Sequence, residues 1–276
     1  MGTDTEARAL AERILAAADT GACMALVTDD LPEFGLAEAY RVAEAVTGLR
    51  VARGERPVGW KIGFTNYAMW DEYGVRAPIW APVYDRTVVE MPAGPASCAI
   101  GHLVAPRIEP EIVLRLARTP EPGMDETALM GCVDAVAHGF EIVHCVFPDW
   151  RFRLPDTIAA FGLHGLLCHG AFVPVGEAMP AAAWRPALEG FTIVLERDGA
   201  QAERGHATAV LGGPLSALRH FVEASAAAGP ATWKPAAGDI VTTGTLTRPF
   251  PIGPGERWTT GIDGVPLPGM DVLFTP

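Results

Sequence analysis

Apolar positions in the first fifty residues recur every three or four places. Ala7, Leu10, Ile14 and Ala17 share one side of a helical wheel, and Gly21 supplies a stop. A second stripe, Leu36, Tyr40, Ala43, Val46 and Leu49, predicts a helix over 36–53 ahead of Gly54. From Pro57 the pattern turns to short apolar or alternating runs broken by Gly, Pro and Asp-Gly, the rhythm of strands. Such runs cover 58–65, 106–116, 139–146, 191–196 and 238–246, with a last pair at 256–262 and 265–274. Asp198-Gly199 and Asp263-Gly264 read as hairpin turns. Two helices interrupt the strands. One is capped by Asp125 and ends before Gly139; the other starts at Pro214 and ends near Gly229. The expected organisation is a helical part over 1–55 and a β-rich part over 56–276, joined in one continuous unit.

Charge narrows the choice of partner. The chain has 33 acidic against 21 basic side chains, a net charge of −12, which repels phosphate backbones and anionic lipid. Neither nucleic acid nor a membrane is an expected partner. Five scattered cysteines, with no CxxC pair, suit reduced thiols in a cytoplasmic protein better than a disulfide framework. Asp4, Glu6 and Glu12 interrupt the first amphipathic stretch, so it does not read as a signal peptide, and Glu6 stands where a myristoylation signal wants Ser or Thr. The uncharged run 157–176 contains four glycines, Pro174 and two histidines, which suits buried strands and turns rather than a membrane span.

The chemistry concentrates in PRIEPEIVLRL (106–116). As a strand, this segment puts Ile108, Ile112, Leu114 and Leu116 on one face and Arg107, Glu109 and Glu111 on the other. Two carboxylates one pleat repeat apart, roughly 6–7 Å at Cα, repel each other unless a cation lies between them. A solvated strand face is the plain alternative. Glu141, in the apolar run GFEIVHCV, needs a partner if buried, and no Lys or Arg occurs between Arg118 and Arg151. Its partner comes from elsewhere in the fold or is a metal. Three carboxylates without cysteine or histidine at ligand spacing describe an oxygen-donor site, fit for Mg²⁺ or Mn²⁺ rather than Zn²⁺. In VGWKIGFT (58–65), Lys61 shares its face with Gly59 and Gly63, which leave room for a ligand; a surface lysine on an edge strand is the alternative. Near a dication and low-dielectric walls its pKa would fall toward a range useful for proton transfer. The seven histidines lack HExxH-type spacing and read as structural. No GxSxG elbow, phosphate loop or GxGxxG follows a strand.

Taken in order, GWKIGFTN (59–66), PRIEPEIVLRL, GFEIVHC (139–145), DTIAAFG (156–162), VLGGPLSAL (210–218) and AGDIVTTGTLT (237–247) resemble one family. It comprises the 2-keto-4-pentenoate hydratases and 2-oxo-3-hexenedioate decarboxylases of the fumarylacetoacetate hydrolase superfamily. The resemblance implies an α+β fold, a mixed β-sheet roll with a small helical N-terminal part, in a homo-oligomer. It implies a divalent metal, Mg²⁺ or Mn²⁺, on Glu109, Glu111 and Glu141, with Lys61 as the catalytic group. Thr245 of the Thr243-Gly244-Thr245 motif, Arg107, Asp156, Phe161 and Leu163 are the expected substrate contacts. The family usually continues D-x-[IV]-A with Asp-Asn and a small polar residue, where this chain has Ala160-Phe161-Gly162-Leu163. It often has an acidic residue and Met where this chain has Arg86-Thr87. The implied activity is hydration of a 2-hydroxy-2,4-dienoate, a small 2-keto acid in its enol form, to a 4-hydroxy-2-oxo acid. Decarboxylation of a vinylogous 2-keto dicarboxylate is the near alternative; it needs a site for the distal carboxylate, and Arg86, Arg151 or Arg153 in the pocket would favour it. C–C bond hydrolysis calls for a histidine motif that has no match here. An inactive keto-acid-binding relative is the alternative from outside enzymology.

Overall fold

Two curled mixed sheets carry the fold in the computed structural model, which describes residues 4–276. The chain opens with helices α1 (Asp4–Thr20), α2 (Val27–Asp30) and α3 (Leu36–Ala52). Next come β1 (Pro57–Gly63), α4 (Tyr67–Tyr73), β2 (Ile79–Tyr84), β3 (Val88–Glu90), β4 (Pro95–Ala99) and β5 (Arg107–Leu116). The middle holds α5 (Glu126–Met130), β6 (Val133–Val143), α6 (Leu154–Ala159), β7 (His164–His169) and β8 (Val173–Pro174). After α7 (Ala181–Gly190), β9 (Thr192–Arg197), β10 (Ala200–His206) and α8 (Pro214–Ala228), four strands close the chain. These are β11 (Ile240–Thr242), β12 (Phe250–Pro251), β13 (Arg257–Asp263) and β14 (Asp271–Thr275).

The larger sheet runs β2-β1-β11-β5-β6-β7-β3, with β12 added to β5 and β8 to β6; the smaller runs β10-β9-β13-β14-β4. β1–β11, β3–β7 and β4–β14 are parallel and the other pairs antiparallel. The long β5–β6 ladder is the spine, and its apolar side (Ile112, Leu114, Val136) is covered by α7 and α8 through Trp184, Leu188, Leu218 and Phe221. The apolar stripes of α1 and α3 share a second core with Ile79, Ala81, Val143 and residues 145–147 and 154–163. The N-terminal helices therefore brace the underside of those segments. Among the described residues, no helix is long and apolar enough to cross a membrane.

Several elements differ from the sequence expectation. The helix after Asp125 is only residues 126–130, and β6 begins at Val133, where a helix to Gly139 was expected. Only the two alanines of VDAVA favour a helix; the valines favour a strand, and ladder pairing along the whole of β5 completes it. The 238–246 strand is shortened to β11, because Gly244 turns the chain away at φ +98°. Asp198-Gly199 does make a tight hairpin, at φ +52° and +80°. Asp263-Gly264 does not: β14 starts at Asp271, so residues 264–270 intervene. Helices α4, α6 and α7 were not anticipated.

Candidate active site

Strand register assembles the site. Glu109 on β5 stands directly opposite Glu141 on β6, and Glu111 follows on the same face, opposite Gly139. Directly opposed side chains have Cβ atoms about 4.5–5.5 Å apart, a spacing at which two like charges destabilise a sheet. Lys61 arrives by the same logic. It pairs with Thr242 on β11, which pairs with Val113 on β5, so the lysine shares the face of Glu109, Glu111 and Val113. β11 ends at Thr242, opposite Val113, and β12 rejoins this edge of β5 only at Arg107 and Ile108, so Glu109 and Glu111 lie in the gap between the two strands.

The three carboxylates each bring an oxygen within 4.8 Å of the others. Glu111 and Glu141 are fully buried and Lys61 is 3% exposed. Glu141 is gripped at both oxygens: Oε1 lies 2.9 Å from His164 Nδ1, and Oε2 pairs with Lys61 Nζ at 3.1 Å. Lys61 Nζ also donates to Gly162 O at 3.0 Å. Glu111 Oε2 accepts from the Gly244 N–H at 2.8 Å, while its Oε1 is buried without a partner. Two left-handed glycines make these contacts possible. A Cβ on Gly244 would overlap Thr65, and one on Gly162 (φ +64°) would sit 2.9 Å from Lys61 Cδ. Phe161 and Leu163 also have positive φ, +45° and +62°, so the segment that departs from the family pattern is a strained turn whose carbonyl anchors Lys61.

Burial and mutual repulsion govern the charges. Burial, then Glu141 and Glu109, hold the Glu111 carboxyl well above its usual range, and burial lifts Glu109 to about 7 against the pull of Lys61. Glu141 goes the other way: burial raises it, but Lys61 and His164 together bring it below the ordinary value. Burial lowers the Lys61 ammonium, but the three carboxylates outweigh it and hold the group above its ordinary range; the expected lowering concerns a site that also holds a dication. Fully ionised, as a bound cation would keep them, three carboxylates against one ammonium carry two net negative charges, and Glu111 Oε1 is a buried acceptor without a partner. This is a fitting seat for a hard dication. A consequence follows for stability. Carboxyls raised in the fold bind protons that the unfolded chain has already released, so stability is fully present below about pH 4.5 and lost as pH rises through about 7. In chelator, this cluster is expected to lower the melting temperature between pH 5 and 8 in the parent relative to Glu109→Gln/Glu111→Gln, so the difference between the two proteins widens as pH rises.

A cavity of about 360 Å³ opens above these groups. Lys61, Glu109, Glu111, Gly244 and Thr245 form its polar end, and Met69, Tyr73, Ile79, Trp150, Phe152 and Leu163 its apolar walls. The aromatic rings are chained: Phe64–Tyr73, Tyr73–Phe152 and Phe152–Trp150 centroids lie 5.0, 6.1 and 6.4 Å apart. Arg107 also lines the cavity, its guanidinium carbon over the Trp150 ring at 4.0 Å from the centroid. Thr245 lines it too, its hydroxyl donating to Thr247 O. Two expected contacts lie elsewhere. Asp156 is fully buried, its oxygens accepting from Thr28 N, Thr28 Oγ1 and Arg153 N, so it ties α6 to α2 and does not line the cavity. Phe161 lies beneath the wall, packed on His144 and Arg50. Sequence reasoning missed His164, set aside with the other histidines, and the aromatic contribution of α4. The signal for His164 was present: an uncharged run with no other partner for Glu141.

Comparison with known proteins agrees with this geometry. No family model matches the chain. A 4-oxalocrotonate decarboxylase from Pseudomonas sp is 30% identical over 89% of this chain and 90% of its own. The chain belongs to the family of the 2-keto-4-pentenoate hydratases and 4-oxalocrotonate decarboxylases. The 2-hydroxyhexa-2,4-dienoate hydratase of Comamonas testosteroni is 29% identical over 92% of each chain. Among solved structures, 4-oxalocrotonate decarboxylase from Pseudomonas putida G7, complexed with magnesium and adipate, matches with a TM-score of 0.88 and 26% identity over 99% of both chains. Fumarylpyruvate hydrolase from Pseudomonas aeruginosa, at 17% identity and a TM-score of 0.58 over 79% of this chain and 89% of that one, shares the fold.

Proposed function

We propose that this protein is a divalent-metal-dependent hydro-lyase that adds water to a 2-hydroxy-2,4-dienoate, giving a 4-hydroxy-2-oxo acid. The carrying observation is the convergence of Glu109, Glu111 and Glu141 beside Lys61 at the polar end of a largely apolar cavity. Those three side chains would hold Mg²⁺ or Mn²⁺. The ion supplies positive charge that lowers the cost of enolate character at the 2-oxygen of a keto acid. Lys61 carries a proton at Nζ, fixed by Gly162 O, and is the donor for C5 of the conjugated chain. The 2-hydroxyl gives up its proton as C5 gains one, replacing the proton that Lys61 spends and leaving a 2-oxo-3-enoate; water then adds its hydroxyl at C4 and its hydrogen at C3. Thr245 and Arg107 serve the carboxylate end, and the aromatic walls hold an apolar tail and limit the entry of bulk water.

Decarboxylation of a 2-oxo-3-hexenedioate-like acid needs a cation for the distal carboxylate. Arg86, Arg151 and Arg153 do not line the cavity, and Arg153 is bound to Thr28 and Asp29 instead. This favours hydration. The decarboxylase reading rests on Arg107, the one arginine that lines the cavity among the described residues. The same family membership supports a homo-oligomer working in the cytoplasm. With 2-hydroxypenta-2,4-dienoate and Mg²⁺, loss of the diene absorbance without CO₂ release is the expected result, and chelator abolishes it. Release of CO₂ from the oxo-hexenedioate, with the diene untouched, would install the alternative.

A further inference from the structure

His164 is the buried titratable group that the chemistry above leaves unused. It opens β7 opposite Val143, two residues from Glu141 and on the cavity side of β6. The ring is 2% exposed and occupied at both nitrogens: Nδ1 lies 2.9 Å from Glu141 Oε1 and Nε2 lies 2.9 Å from Thr87 Oγ1. Proton accounting sets one nitrogen. An ionised carboxylate only accepts, so Nδ1 carries a hydrogen, while Nε2 meets the Thr87 hydroxyl, whose one hydrogen has Tyr84 O at 3.1 Å as a second acceptor. Thr87 is itself fixed: its Oγ1 accepts from Tyr84 N at 3.2 Å, and its carbonyl accepts from Leu167 N at 2.7 Å.

We propose that His164, oriented by Thr87, is a positioning residue for Glu141, locking one carboxylate oxygen so that the other faces Lys61 and the cation seat. The last torsion of a glutamate is broad and roughly two-fold, so an untethered Glu141 would turn its oxygens freely between these neighbours. A ring donor on Oε1 removes that freedom, in the way outer partners orient metal-holding side chains generally. The inference rests on the reading of Glu141 as a metal-holding group. It also gives a role to two residues, Thr87 and His164, found in or beside the segments that depart from the family pattern.

The test is Mn²⁺ affinity by titration calorimetry on the purified full-length protein, with melting in EDTA alongside. His164→Leu is expected to weaken Mn²⁺ by about 10- to 100-fold and to lower kcat more than it raises KM. His164→Asn, whose amide N–H can stand in for Nδ1–H, is expected to recover at least tenfold of that affinity. Thr87→Val, which keeps the ring but frees it, is expected to weaken Mn²⁺ several-fold and covers the case in which His164→Leu does not fold. Mn²⁺ affinity within twofold of the parent in His164→Leu or Thr87→Val would overturn the inference. So would Asn performing no better than Leu while both melt normally in EDTA. A parent protein that takes up no Mn²⁺ at all would instead overturn the metal reading on which the inference stands.

Discussion

Glu111→Gln is expected to lose the divalent metal and the activity together. Its affinity for Mg²⁺ or Mn²⁺ should drop by more than about 100-fold, beyond the upper range for losing an outer partner, and turnover should fall to background. The reason is charge. Three carboxylates and one ammonium leave a seat of two negative charges, and the amide removes one of them from a fully buried position. The amide still offers an oxygen to the Gly244 N–H, so the local fold is kept. Burial and its two neighbours already hold the Glu111 carboxyl toward its neutral form, and a neutral amide copies that state. In chelator at pH 8 the variant should therefore melt at or above the parent. The stabilisation that excess Mg²⁺ gives the parent should be absent. Full metal occupancy in this variant, measured by calorimetry or by Mn²⁺ resonance, would mean the ligand is misassigned.

The sequence carried this residue well, for a definable reason. Glu109 and Glu111 lie on one strand, and strand parity alone puts them on one face. Lys61 was legible for the same reason, through its alternation with two glycines in β1. Glu141 was found by elimination, since an apolar run held a carboxylate with no nearby cation in sequence. What parity cannot give is register. The pairing of Glu109 with Glu141 depends on β6 running from Val133 along the whole of β5, and no residue of 133–137 announces that pairing locally. His164 and Lys61 reach Glu141 from strands on opposite sides of the β5–β6 spine, a fact of sheet order with no local trace in the chain. Asp156 failed in the other direction. It sits in a motif that marks the family, but its two oxygens serve Thr28 and Arg153, so its place is explained by tying α6 to α2.

Lys61→Met is expected to separate what Glu111→Gln loses together: turnover should fall by about 10²- to 10⁴-fold, the span of a positioned proton donor, with the metal still bound. The ammonium stands 3.1 Å from Glu141 Oε2, on the acceptor a dication would share, so its charge opposes that of the ion. Removing it leaves three carboxylates facing the seat, and Mn²⁺ affinity should hold or rise. Without metal the effect reverses. Glu141 loses its ion-pair partner in a fully buried position, and breaking such a pair costs about 3–5 kcal/mol. Lys61→Met should therefore melt well below the parent in EDTA and regain most of that difference in saturating Mg²⁺. Methionine is the suitable replacement because its unbranched chain fills the space beside Gly162 Cα that the lysine stem now occupies. A variant that keeps its turnover would remove Lys61 from the proton path. One that loses metal as severely as Glu111→Gln would make the lysine part of the cation seat rather than a group acting on the substrate beside it.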